Sequence, residues 1–148
     1  QLEDGTMKSA ALPTVTFTID KFHKVGGKHT YCDYSMSLAN GGSSVSLDAT
    51  SRTITVTSKT PVQIVFTAAG QYLLAGICFK ETDKGKSDPH GAEAFPSVVL
   101  ELSGSSSTLT LTDNAGTPSS YEYAMLVVGI AEQALGLIDP PIVNRPPP

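Results

Sequence analysis

Few side chains in this chain can bind a metal: His23, His29, His90, Cys32 and Cys78. Zinc and copper sites need several such ligands converging at about 2 Å, so spacing decides. His29 and Cys32 are three residues apart, and on a strand they point to opposite faces. There is no Cys-x-x-Cys and no His-Glu-x-x-His. A blue-copper site brings Cys and His together late in the chain, whereas both cysteines here are early or central and the last third has no His. The segment Lys84-Gly85-Lys86-Ser87 ends like a phosphate-binding loop. That loop needs a second Gly five residues before Gly85, where Lys80 stands, and a helix after it, which the sequence does not offer.

Nucleophilic and acid–base chemistry find no better support. No Ser lies in a Gly-x-Ser-x-Gly elbow, and neither Cys has a basic neighbour to lower its pKa. The paired acids Glu81/Asp83 and Asp88/Glu93 lie in the most polar loop, without the contrasting environments that an acid–base pair needs. No catalytic residue, metal or cofactor is assigned, and no enzymatic activity is expected. Two groups of residues remain. The Lys80–Phe95 loop carries Asp88, His90 and Glu93, which suit a small polar molecule or a sugar; Tyr31, beside Asp33, is the best exposed aromatic to accompany them. The closing segment carries Asp139, Ile142, Val143 and Asn144, which suit contact with another protein.

Strands must position both groups. In TVTFTID, Val15, Phe17 and Ile19 alternate with threonines, the period of a strand with one buried face. TYCDYSMSL places Cys32, Tyr34, Met36 and Leu38 on one face. SVSLD, RTITVTS and STLTLTD repeat the pattern with Val45 and Leu47, Ile54 and Val56, and Leu109 and Leu111. PVQIVFTA, YLLAGICF and YEYAMLVVGI look more fully buried, and SVVLELS is expected to turn Val98, Leu100 and Leu102 inward. Gly-, Ser- and Pro-rich breakers separate these segments every 8–12 residues or so, the rhythm of a sandwich or barrel. DNAGTPSSYEY hints at the tyrosine corner of immunoglobulin-like domains, although its Gly116-to-Tyr121 spacing is longer than usual. The fold expected is all-β: a single antiparallel Ig-like β-sandwich of about seven to nine strands.

Charge and length narrow the partners. The 148 residues suit one domain, which at this size can bury roughly 70% of its unfolded surface. The net charge of −4, with no basic cluster, argues against nucleic acid and against an anionic membrane surface. No stretch approaches the roughly 20 apolar residues that span a bilayer. QLEDGT before Met7 reads as a vector-derived scar over residues 1–6; a native start at Met7 implies a cytoplasmic protein, and a mature start at Gln1 a secreted one. The domain then runs over 7–138, followed by a proline-rich C-terminal edge segment, 139–148.

That closing segment, LIDPPIVNRPPP, carries the most specific pattern in the chain. Asp139 can accept hydrogen bonds in a turn and Pro140-Pro141 fixes an extended backbone. Ile142 and Val143 are then expected to form a short edge strand that Pro146–Pro148 protects from further pairing, or an arm exchanged with a neighbouring molecule. TLTLTDN (Thr108–Asn114), YEYAMLVV (Tyr121–Val128) and IDPPIVN (Ile138–Asn144) together resemble the DP-EP family of small bacterial proteins. The resemblance implies a compact β-sandwich and no known activity. The function expected is a non-catalytic binding or self-assembly module, with self-association or another protein as partner; the alternative is a small-molecule or carbohydrate-binding sandwich using the 80–95 loop.

Overall fold

The structure is a computed structural model, and it describes residues 11–25, 29–83, 85 and 87–148. The scar expected at residues 1–6 lies outside the described residues, as do Lys84 and Lys86 of the Gly-Lys-Ser segment. The described chain is all-β, with eleven strands: β1 Thr14–Val25, β2 His29–Ala39, β3 Val45–Asp48, β4 Thr53–Val56, β5 Val62–Ala68, β6 Tyr72–Glu81, β7 Ser97–Ser103, β8 Ser106–Asp113, β9 Ser119–Gly129, β10 Ala134–Ile138 and β11 Pro141–Asn144.

One continuous hydrogen-bonded sheet runs β3-β4-β11-β9-β10-β2-β1-β5-β8-β7, and β6 pairs with the free side of β9. The sheet folds back on itself. Phe66 of β5 meets Tyr123 of β9 with ring centres 5.8 Å apart, although four steps separate these strands along the sheet. Between the two layers lies the core, built from the inward side of each alternating strand: Val15, Phe17 and Ile19 on β1, Ile64 and Phe66 on β5, Leu109 and Leu111 on β8, and Tyr121, Tyr123, Met125 and Val127 on β9. A bulge between Ile19 and Lys21 adds one residue to β1. An extra residue resets the alternation, so Phe22 packs against the core on the same side as Ile19.

The sheet is mixed. β5 runs parallel to β1, β10 parallel to β2, and β11 parallel to β4. This corrects the expected antiparallel sandwich of seven to nine strands. Hydrophobic alternation marks where strands are, but not which strands meet. The closing segment adds to the count by splitting. β10 and β11 follow one another along the same edge of β9, Met125↔Ile138 to Gly129↔Ala134 and then Ser119↔Asn144 to Glu122↔Pro141. Between them Pro140 has no N–H to give, and its carbonyl accepts from the Tyr123 amide at 3.0 Å.

The same geometry overturns the edge reading of the tail. Pro141–Asn144 pairs with β9 on one side and with β4 on the other, so it is an interior strand. Ile142 and Asn144 are buried, Val143 is half-buried, and only Asp139 of the four expected contact residues is exposed. The true edges are elsewhere. β3 is a four-residue strand that pairs only with β4. The outer side of β6 is plugged where the Ser107 hydroxyl donates to the Leu74 carbonyl at 3.0 Å and accepts from its amide at 2.7 Å. Among the described residues β7 pairs only with β8.

Candidate functional site

β7, Ser97–Ser103, is exposed at every residue. Val98, Val99, Leu100 and Leu102 are 41%, 50%, 41% and 65% exposed. The other exposed large apolar side chains among the described residues are Leu12, before β1, and Ile130 and Leu135, at the end of the β9–β10 hairpin. The register explains the exposure. Val98 lies opposite Leu111, Leu100 opposite Leu109 and Leu102 opposite Ser107, so the row expected to point inward does share the inner face of β8. It lies beyond the reach of the opposite layer, and there the expectation of burial fails. Val99 and Glu101 take the other face, opposite Thr110 and Thr108. A long, apolar strand with one free edge is a template for another strand, and natural proteins usually blunt such an edge with Lys, Pro or a bulge. Glu101 is the one charged side chain in Ser97–Ser103, and no Lys, Pro or bulge interrupts the strand.

The 80–95 loop is pinned rather than open. Asp88, though buried, accepts the Glu93 amide at 3.1 Å, the Ala94 amide at 3.0 Å and the Tyr121 hydroxyl at 2.7 Å. The Glu81 carboxylate accepts the Asp88 amide at 3.0 Å. Burial pushes the Asp88 carboxyl upward, but these donors outweigh it and hold the group below the usual carboxylate range. Burial, then the hydrogen bond and charge of Asp88, push the Tyr121 phenol well above its ordinary value. Phe95 seals the loop by stacking on Phe79 at 4.0 Å and meeting Tyr121 edge-on at 4.9 Å. The turn at Gly91 has φ +72°, and a Cβ there would stand 2.8 Å from the Phe95 ring.

A cleft of about 260 Å³ opens beside this loop, lined by Glu81, Asp88, Glu93, Asn114, Ser119 and Tyr121 among others. Glu93 therefore faces the cleft, Asp88 forms part of its wall, and His90 is exposed and does not line it. The carboxylates offer acceptors, several already engaged by the loop's own amides, and the hydroxyls of Ser87, Thr117 and Ser119 line the same cleft. Among the described residues no group of three or more His, Cys, Asp or Glu could hold a metal ion. The His23 ring bonds Asp33 across the β1–β2 pair at 2.9 Å. Both cysteines are free. Cys32 is buried, and burial lifts its thiol to about 11; Cys78, in the YLLAGICF segment expected to be more fully buried, is exposed.

The expected tyrosine corner takes another form. The Tyr121 hydroxyl bonds the side chain of Asp88 from the 80–95 loop, not backbone near the corner. Deeper in the same end of the molecule, Asn144 donates from Nδ2 to Asp113 Oδ1 at 2.9 Å, with both residues buried. Sequence reasoning missed this contact, because Asp113 reads there as a turn residue and Asn144 as part of a surface tail. The signal was available at β7: apolar residues on both parities of a short strand fit either a covered central strand or an unfilled interface.

No family model matches the sequence, and no curated protein does. The fold is shared. The crystal structure of the inclusion body protein PixA from Burkholderia cenocepacia J2315 superposes with a TM-score of 0.58 over 93% of this chain and 97% of that one. Sequence identity across the superposition is 10%, so the likeness concerns the fold alone.

Proposed function

We propose that the protein is a non-catalytic assembly module whose copies join through β7. The observation that carries this reading is the unguarded edge of Val98, Val99, Leu100 and Leu102. A second copy of this chain is the partner that fits. Antiparallel pairing of two β7 strands about Leu100 sets Val98 against Leu102 and Leu100 against its own counterpart, so one face is apolar throughout. The same register sets Glu101 against Val99 and keeps the two glutamates from facing each other, which like charges on directly opposed strands disfavour. An isologous two-fold contact needs this self-complementarity. The DP-EP resemblance belongs to the same proposal. The structural neighbour is named an inclusion body protein, a name that accords with a chain whose copies associate.

Sedimentation velocity over a wide concentration range tests the reading. The full chain is expected to associate, and Leu100→Lys, which sets two ammonium groups against each other at the two-fold, to weaken association at least about tenfold in Kd, about 1.4 kcal/mol. A wild-type chain that stays monomeric at high concentration, or a Leu100→Lys chain that associates as well as wild type, would end the proposal.

A further inference from the structure

Asp113 closes β8 and Asn144 closes β11, the last strand of the chain. Their side chains share the Nδ2–Oδ1 hydrogen bond of 2.9 Å, and Asn144 Nδ2 also reaches Ser119 Oγ at 3.3 Å. Two oxygens are left over. Asp113 Oδ2 and Asn144 Oδ1 are both buried, and neither has a partner among the described residues. Buried polar atoms without partners are rare and costly, and each calls for an explanation. Here two orphans sit on two planar groups that are already joined once. One proton on Asp113 Oδ2, donated to Asn144 Oδ1, would satisfy both and close a ring of two hydrogen bonds between a carboxylic acid and an amide.

We propose that Asp113 is a neutral acid in the folded protein, that it forms with Asn144 an acid–amide clasp holding β11 in the sheet, and that ionisation opens the clasp. The surroundings agree. Val62 of β5 lies opposite Asp113 in the ladder and Val56 of β4 opposite Asn144, and neither carries a charge. Ser119 of β9 offers only a hydroxyl. Glu81 and Asp83, which line the hollow beside Asn144, take amides of Asp88 and Ser120, and Arg145, the neighbouring cation in the chain, is exposed. Among the described residues no salt bridge reaches Asp113. Burial lifts the Asp113 carboxyl to about 7, opposed only by the Asn144 hydrogen bond.

The sign follows from that elevation above an ordinary value of about 3.9. The clasp's contribution is fully present below the unfolded value. Between about pH 4 and pH 7 the unfolded chain gives up the proton while the folded chain keeps it, so stability falls with rising pH and levels off above the folded value. The full separation corresponds to roughly a thousandfold in the folding constant.

Two measurements on the full chain decide. Carbon NMR of the Asp113 carboxyl is expected to titrate with a midpoint near 7; a carboxyl already ionised at pH 5.5 would overturn the proposal. Asp113→Asn can form the analogous amide–amide ring without a titrating proton. Its folding constant from urea unfolding should exceed that of the wild type at pH 8 by at least about tenfold, with the difference vanishing below pH 4. Equal constants at pH 8 would overturn the clasp. Corrected for base catalysis, hydrogen exchange at Ile142–Asn144 should quicken above pH 7 in the wild type and not in the variant. Unchanged exchange there would refute the opening of β11 even if the carboxyl titrates as expected. Should Asp113→Asn fail to fold, the wild-type titration and exchange still decide both parts.

Discussion

Single residues in this protein matter through what they satisfy. Tyr121 donates to a buried carboxylate that also takes two loop amides, so Tyr121→Phe leaves Asp88 one donor short. The expected loss is about 1–3 kcal/mol at neutral pH, measured by urea unfolding. The pH dependence has a definite sign. A carboxyl held below its unfolded value lends stability above that value, and the stability disappears as pH falls through the folded one. Tyr121→Phe should therefore be less stable at pH 7 and lose less on acidification than wild type; an unchanged acid limb would contradict the role given to the hydroxyl. The thiols make a second prediction. Cys78 is exposed while Cys32 is buried with a raised pKa, so a thiol reagent should titrate one group quickly and one slowly in native protein. Cys78→Ser should remove the fast phase, and two fast thiols would place Cys32 wrongly.

At the scale of elements, small residues and proline splits set the layout. Gly136 of β10 lies against β2 and β1, and a Cβ there would meet Cys32 Sγ at 2.5 Å and the Phe22 ring at 3.1 Å. Gly136→Ala should cost about 1–3 kcal/mol through overpacking, seen as a lower midpoint in thermal unfolding. The tail is the second case. Ending the chain at Gly136 removes Ile138 and Ile142, both fully buried, and strips β9 and β4 of hydrogen-bonded neighbours. Such a chain should lose cooperative unfolding by circular dichroism, whereas a surface arm could be removed without harm. Much of this layer was legible in the sequence. The alternation of Val15, Phe17 and Ile19, of Ile54 and Val56, and of Leu109 and Leu111 marked both the strands and their buried faces, because burial on one side of a sheet imposes period two. The place of β11 was not legible. Proline-flanked Ile142 and Val143 look alike at an edge and between two strands, and only the partners on either side, β9 and β4, tell them apart. The Asp113–Asn144 contact was hidden for the same reason, since it joins residues 31 positions apart.

For the whole molecule, the strands that have one side without a strand partner among the described residues, β3, β6 and β7, set what it can join. β3 is short, β6 is plugged by Ser107, and β7 presents four exposed apolar side chains beside unshared backbone. The opposite layer stops short of Val98, Leu100 and Leu102, so a monomer leaves an unfinished core at its rim, and a second β7 would extend the sheet across it. The most direct measurement is oxidative crosslinking of Leu100→Cys in a Cys78→Ser background, leaving Cys32 buried. In the two-fold register residue 100 faces its own copy, at the roughly 4.5–5.5 Å between Cα atoms of opposed antiparallel residues, which a disulfide spans. Leu102→Cys in the same background faces Val98 of the partner and lies well away from its own copy. The account predicts a rapid covalent dimer for Leu100→Cys and little for Leu102→Cys. Equal crosslinking at both positions, or none at residue 100, would contradict assembly through β7 in this register.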